Sequence, residues 1–154
     1  MNILSKIKIF LFYFFGTGFY TGYSPLASGT IATILTASII YFFNFSDLII
    51  LISIHFLFVI GLISSNYLKN IHGNDPYIVT IDEVVGFLIA ILFLPKTIFF
   101  IIIGFIFFRF FDIVKPPPAN YFDNLKSSHG IMLDDVVAGI YTNIILQMIN
   151  YFYK

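Results

Sequence analysis

Apolar residues gather into six runs along the chain: Ile7 to Phe15, Ile31 to Phe45, Leu48 to Ser65, Val84 to Leu94, Ile98 to Phe108 and Val136 to Phe152. Polar stretches bearing Gly and Pro separate them. Leu48 to Ser65 is interrupted only by Ser53, His55, Gly61 and Ser64 and approaches the length that spans a bilayer. Val84 to Leu94 and Ile98 to Phe108 are too short to cross alone, at about 16 Å each against a hydrocarbon core of about 30 Å. Extended to a hairpin from Ile78 to Val114 that turns at Leu94-Pro95-Lys96-Thr97, each arm reaches about 25 Å. That extension draws Asp82, Glu83, Arg109 and Asp112 into helix ends. Residues 1–15 predict a short helix against the membrane or the bundle rather than a cleaved signal, because Lys6 and Lys8 flank and enter the first run. Nothing suggests a second domain, so residues 1–154 are one unit.

Composition turns these runs into a fold class. The chain is 59% hydrophobic, 20% aromatic and 10% charged, where an ordinary soluble domain carries about 25% charge. A domain of this size hides only about 70% of its unfolded surface, so the remaining apolar surface needs lipid. The expected fold is all-α: a small polytopic helical membrane bundle whose motif loops and helix ends converge on one membrane face. Zero net charge and no basic stripe argue against nucleic acid as a partner. The absence of Cys removes disulfides, thiolate metal sites and cysteine nucleophiles.

Counting passes puts residues 16–30, 66–83 and 109–135 on one face, together with Lys69, Arg109, Lys115 and Lys126; by the positive-inside bias that face is cytoplasmic. Seven of the eight acidic residues lie there, all but Asp47. Scattered at mid-bilayer, those seven would cost about 3 kcal/mol each, roughly 20 in all, against the 5 to 15 that holds a domain folded. They must cluster.

Two acid pairs share a pattern, Asp82-Glu83-Val84-Val85-Gly86 and Asp134-Asp135-Val136-Val137-Ala138-Gly139, and each is expected to open a helix. A plain reading is a charged first turn favoured by the helix dipole. Yet the small residue that follows each pair lets helices approach closely, and four converging carboxylates need a hard cation such as Mg²⁺. Arg109, Asp112 and Lys115 follow at i, i+3 spacing before Pro116-Pro117-Pro118 stops the helix. They form either a capping salt-bridge ladder or a phosphate clamp, for which a guanidinium fork is suited. The stretch from Gly16 to Thr30, rich in Gly and hydroxyls, opens a helix whose backbone amides can meet an anion. His55 is expected to be a hydrogen-bonded core or interhelical residue, His72 and His129 exposed loop residues, and Asp75 a turn residue before Pro76.

The order of these motifs resembles the phosphatidylglycerophosphatase A family: Ser24-Pro25-Leu26-Ala27-Ser28-Gly29-Thr30, then Asp75 with Asp82-Glu83, then Phe108 to Pro116, then Gly130-Ile131-Met132-Leu133-Asp134-Asp135 with Ala138-Gly139. The likeness runs from about Gly16 to Gly139. It departs at Ser28, where the family usually has Pro, and at Ser127 and Ser128, where Gly is common. The resemblance implies a Mg²⁺-dependent phosphatase of the bacterial inner membrane, its active site on the cytoplasmic side. Its substrate would be the lipid phosphatidylglycerophosphate, hydrolysed to phosphatidylglycerol. Carried over by position, Asp82, Glu83, Asp134 and Asp135 would hold metal, while Gly29, Thr30, Arg109 and Lys115 would meet phosphate. Asp112 would orient Arg109 or Lys115, serve as a ligand, or act as nucleophile. The competing classes are a transporter or channel subunit, which distributes its acids through the membrane depth, and a scaffold that does not need them.

Overall fold

Each apolar run becomes a helix, and most helices extend beyond the run that predicts them. In the computed structural model, which describes residues 2–73 and 76–153, the order is α1 (Ile3–Gly16), α2 (Ser28–Phe43), α3 (Asp47–His72), α4 (Ile81–Ala90), α5 (Ile98–Val114), α6 (Ala119–Asp123) and α7 (Ser128–Tyr153). A short 3-10 turn, Thr21–Tyr23, joins α1 to α2, and the described residues contain no strand. Asp75 lies outside them.

α3 and α7, 26 residues each and about 39 Å long, are the two helices long and apolar enough to cross a membrane. Their outward residues recur at helical spacing and are exposed: Ile52, Phe56, Val59 and Ile63 on α3, Ile140, Ile144 and Met148 on α7. α5 adds Ile102, Ile106 and Phe110. An apolar surface of this extent is a lipid-facing one. His55 belongs to it: it is exposed, and its Nδ1 lies 2.8 Å from the Leu51 carbonyl one turn back rather than bridging helices.

α4 departs from expectation. Instead of a long hairpin arm from Ile78 it is ten residues, about 15 Å, buried in the middle of the bundle, with Ile81, Val85, Phe87 and Ala90 fully inaccessible. It can stop short because its last carbonyls find partners. Asn143 of α7 donates from Nδ2 to the carbonyls of Ile89, Ala90 and Leu92 at 3.0, 3.1 and 2.8 Å, and Gln147 adds Leu92 and Phe93 at 3.3 Å. Lys96 closes the same end through Asp47 at 2.7 Å and the carbonyls of Ile91 and Leu94.

The start of α4 fixes the depth of everything that follows. Ile81 packs beside Gly61 of α3, as does Met132 of α7, about three turns or 16 Å short of the end of α3 at His72. α4 and α7 touch backbone to backbone there. A Cβ on Gly86 would meet the Asp135 carbonyl and the Phe108 ring at 2.7 Å, and one on Gly139 would run into the Gly86 carbonyl. This is the close approach that the small residues after each acid pair predict.

Candidate active site

Two helices, α4 and α7, deliver paired carboxylates to one place. Asp82 and Glu83 stand in the first turn of α4, where the amide dipoles favour negative charge, and Asp82 Oδ1 accepts the Glu83 amide at 3.1 Å. Asp134 and Asp135 do not open their helix as expected. α7 begins at Ser128, with the Ser127 hydroxyl capping the Gly130 amide at 3.1 Å, so the second pair sits inside the helix. Asp134 Oδ1 nevertheless accepts the Asp135 amide at 3.0 Å, repeating the local arrangement of α4. Close packing at Gly86 then brings the two pairs together.

The result is a trio rather than a quartet. Asp82, Glu83 and Asp135 each place a carboxylate oxygen within 4.8 Å of the others. Asp134 turns aside and pairs with Lys115, its Oδ2 2.5 Å from Nζ. Lys115 also holds Asp123 at 2.8 Å, a residue of α6 that the sequence reading does not single out. The signal for it is indirect: a triple proline after Lys115 must turn the chain, and Asp123 is the first acid after the turn. Arg109 meets Asp112 at 2.6 Å across one helical turn.

Electrostatics make the trio an unfinished site. Burial, then the neighbouring Glu83, pushes the Asp82 carboxyl well above the usual carboxylate range, and burial raises Glu83. Burial works to lower the Lys115 pKa, but its contacts with Asp123 and Asp134 outweigh that and raise it, so it stays charged. Two buried polar atoms here lack any hydrogen bond to described residues: Glu83 Oε2, and Arg109 Nη1, which lies near Asp112 without aligning to it. An orphaned carboxylate oxygen beside two other carboxylates is a donor set that suits a hard, oxygen-seeking divalent cation.

These side chains line one cavity of about 340 Å³, with Gly29, Ser28, Asp112, Asp123 and Lys126 on its walls. Gly29 matters sterically: a Cβ there would collide with Glu83 Oε1 and stand 3.2 Å from Arg109 Nη1. The start of α2 is therefore pressed against the acid and the guanidinium. Thr30 is not part of the cavity wall. The two histidines expected in loops lie in helices instead: His72 ends α3 and meets the Tyr13 hydroxyl at 3.0 Å, and His129 is exposed in the first turn of α7, outside the cavity. The acids thus gather at one level, and Asp47, alone at the other end, is neutralised by Lys96. That distribution opposes a cation path through the membrane depth.

The family description of phosphatidylglycerophosphatase A matches residues 14–150. A Bacteroides thetaiotaomicron protein provisionally named phosphatidylinositol-3-phosphatase is 35% identical over 153 residues, covering 93% of this chain and 96% of that one. Phosphatidylglycerophosphatase A of Escherichia coli (strain K12) is 30% identical over 142 residues, covering 87% and 80%. The Haemophilus influenzae protein of the same name is 46% identical over 72 residues, covering 46% and 44%. No solved structure matches the chain significantly. The motifs, their order and these relatives lead to one assignment: the chain belongs to the phosphatidylglycerophosphatase A family and is a phosphatase.

Proposed function

We propose that this chain removes the terminal phosphate of phosphatidylglycerophosphate, giving phosphatidylglycerol, and that Asp82, Glu83 and Asp135 hold a divalent cation, Mg²⁺, while they do so. The observation that carries the reading is the single cavity in which three close carboxylates face Arg109, Lys115 and the start of α2. The family name supplies the substrate. A bound divalent cation contributes Lewis-acid polarisation of a phosphoryl oxygen and of water.

The chain's own residues supply the rest. Arg109 presents donors to the equatorial oxygens of the phosphoryl group, where charge is spread in the transition state. Asp112, 2.6 Å from Nη1, holds the guanidinium in place by ion pairing. Lys115 brings a second positive charge, held in place by Asp123 and Asp134 at 2.8 and 2.5 Å. The recess below the end of α3 shields these groups from bulk water and strengthens each interaction.

The topology we infer is multi-pass, in the inner membrane of a bacterium, with the cavity opening toward the cytoplasm. Its support is the crowding of Lys69, Arg109, Lys115 and Lys126 at one end of the bundle. The test is phosphate release by purified protein from phosphatidylglycerophosphate with Mg²⁺ or with EDTA. Release should require both protein and Mg²⁺; equal release in EDTA removes the cation, and none in either removes the function.

A further inference from the structure

Beside the catalytic cavity lies a second concavity of opposite character. A groove of about 430 Å³ runs between the last turns of α3 and the first turn of α7, lined by Ile63, Asn66, Lys69, Ser127, Ser128 and His129. Ser127 lines both spaces, so only the turn ahead of α7 divides them. The cavity holds six carboxylates, whereas the groove has none in its lining.

Four features equip the groove for an anion. Lys69 is half-buried, ties itself to the Lys126 carbonyl at 2.5 Å, and has no carboxylate partner among the described residues. Its other ammonium protons remain free. Ser128 is 93% buried by its 7% exposure, yet its hydroxyl makes no hydrogen bond to any described residue and it lines the groove. The backbone amides of Ser128 and His129 have no hydrogen-bond partner among the described residues and stand at the positive end of a 26-residue helix. His129 adds an exposed imidazole whose ring N–H can donate to an anion.

Resting on the phosphatase reading above, we propose that this groove binds the second phosphate of the substrate, the phosphodiester that joins the headgroup to diacylglycerol, while the phosphomonoester occupies the catalytic cavity. The two spaces are adjacent, as the two phosphates of one headgroup are. The carboxylate-rich cavity would repel a second anion, and the groove attracts it. Ile63, half exposed on the lipid-facing side, continues the groove toward the bilayer, where the acyl chains leave. The site therefore selects lipids that carry a monoester and a diester over those that carry a monoester alone.

The experiment compares steady-state kinetics on phosphatidylglycerophosphate and on phosphatidate, which lacks the diester, in neutral detergent micelles. Wild type should prefer the two-phosphate lipid. Lys69→Gln should raise KM for that lipid about tenfold with kcat retained, the scale of one charged hydrogen bond, and change phosphatidate less than twofold. Ser128→Ala should act the same way, about threefold, and Lys69→Arg should restore most of the preference. An equal loss on both substrates, or a loss in kcat alone, would mean that Lys69 only anchors the Lys126 turn and overturns the proposal. So would stimulation of both substrates by added phosphatidylglycerol that Lys69→Gln abolishes, since the groove would then serve a bystander lipid. If wild type hydrolyses neither substrate, the phosphatase reading fails first and takes this inference with it; if it hydrolyses only the two-phosphate lipid, the KM-against-kcat split and the arginine rescue decide.

Discussion

The two ends of α4 solve opposite problems with the same kinds of atoms. At its C-terminal end no buried side-chain polar atom of the described residues is left without a partner: Asp47 neutralises the Lys96 ammonium, and Asn143 and Gln147 satisfy the helix carbonyls. At its N-terminal end three carboxylates crowd within 4.8 Å, Glu83 Oε2 is buried without a hydrogen bond, and Arg109 Nη1 has only an ion pair with Asp112 at 2.6 Å. A bundle that closes one polar cluster so completely is capable of closing the other. We read the difference as that between a cluster that holds the fold and one that a cation and a phosphate would complete.

Substitutions can break that comparison, starting with the trio. Asp135→Asn or Asp82→Asn should lower phosphate release by about a thousandfold while leaving helical content and detergent-gel-filtration behaviour unchanged. Arg109→Lys keeps charge but loses the planar fork, and kcat/KM should fall by about a hundredfold. Asp134→Asn sharpens the division within the acid pairs. It leaves the trio intact and frees Lys115 from one of its two carboxylates, so a loss of about tenfold is expected in the same assay. At the closed end, Asn143→Leu should leave turnover within about twofold but cost about 1 to 3 kcal/mol of stability, read as a lower thermal midpoint in detergent. A catalytic defect in that variant would erase the distinction between the two ends.

The same contrast explains what was legible in the sequence. Leu48 to Ser65 and Ile98 to Phe108 are apolar runs with few interruptions, and α3 and α5 grow from them directly. The spacing of Gly86 and Gly139 after the acid pairs announces the close contact of α4 with α7. The shortness of α4 was not legible, because what ends it is a side chain more than fifty positions away, Asn143. Nor was the start of α7: an apolar-run criterion passes over Ser128-His129-Gly130, although Ser127 caps the helix there. That shift moves Asp134 to the Lys115 side, so three of the four expected acids stand together. Asp123 joins the site only after the chain folds back through α6, eight residues beyond Lys115, and the triple proline between them is its one local signal.

Whether the open end of α4 is a cation site is tested most directly by Mn²⁺ binding to the detergent-solubilised protein, followed by electron paramagnetic resonance. Wild type should take up Mn²⁺ saturably in competition with Mg²⁺, and Asp135→Asn should lose that uptake while remaining folded. Binding that is equally strong in wild type and Asp135→Asn would contradict the assignment.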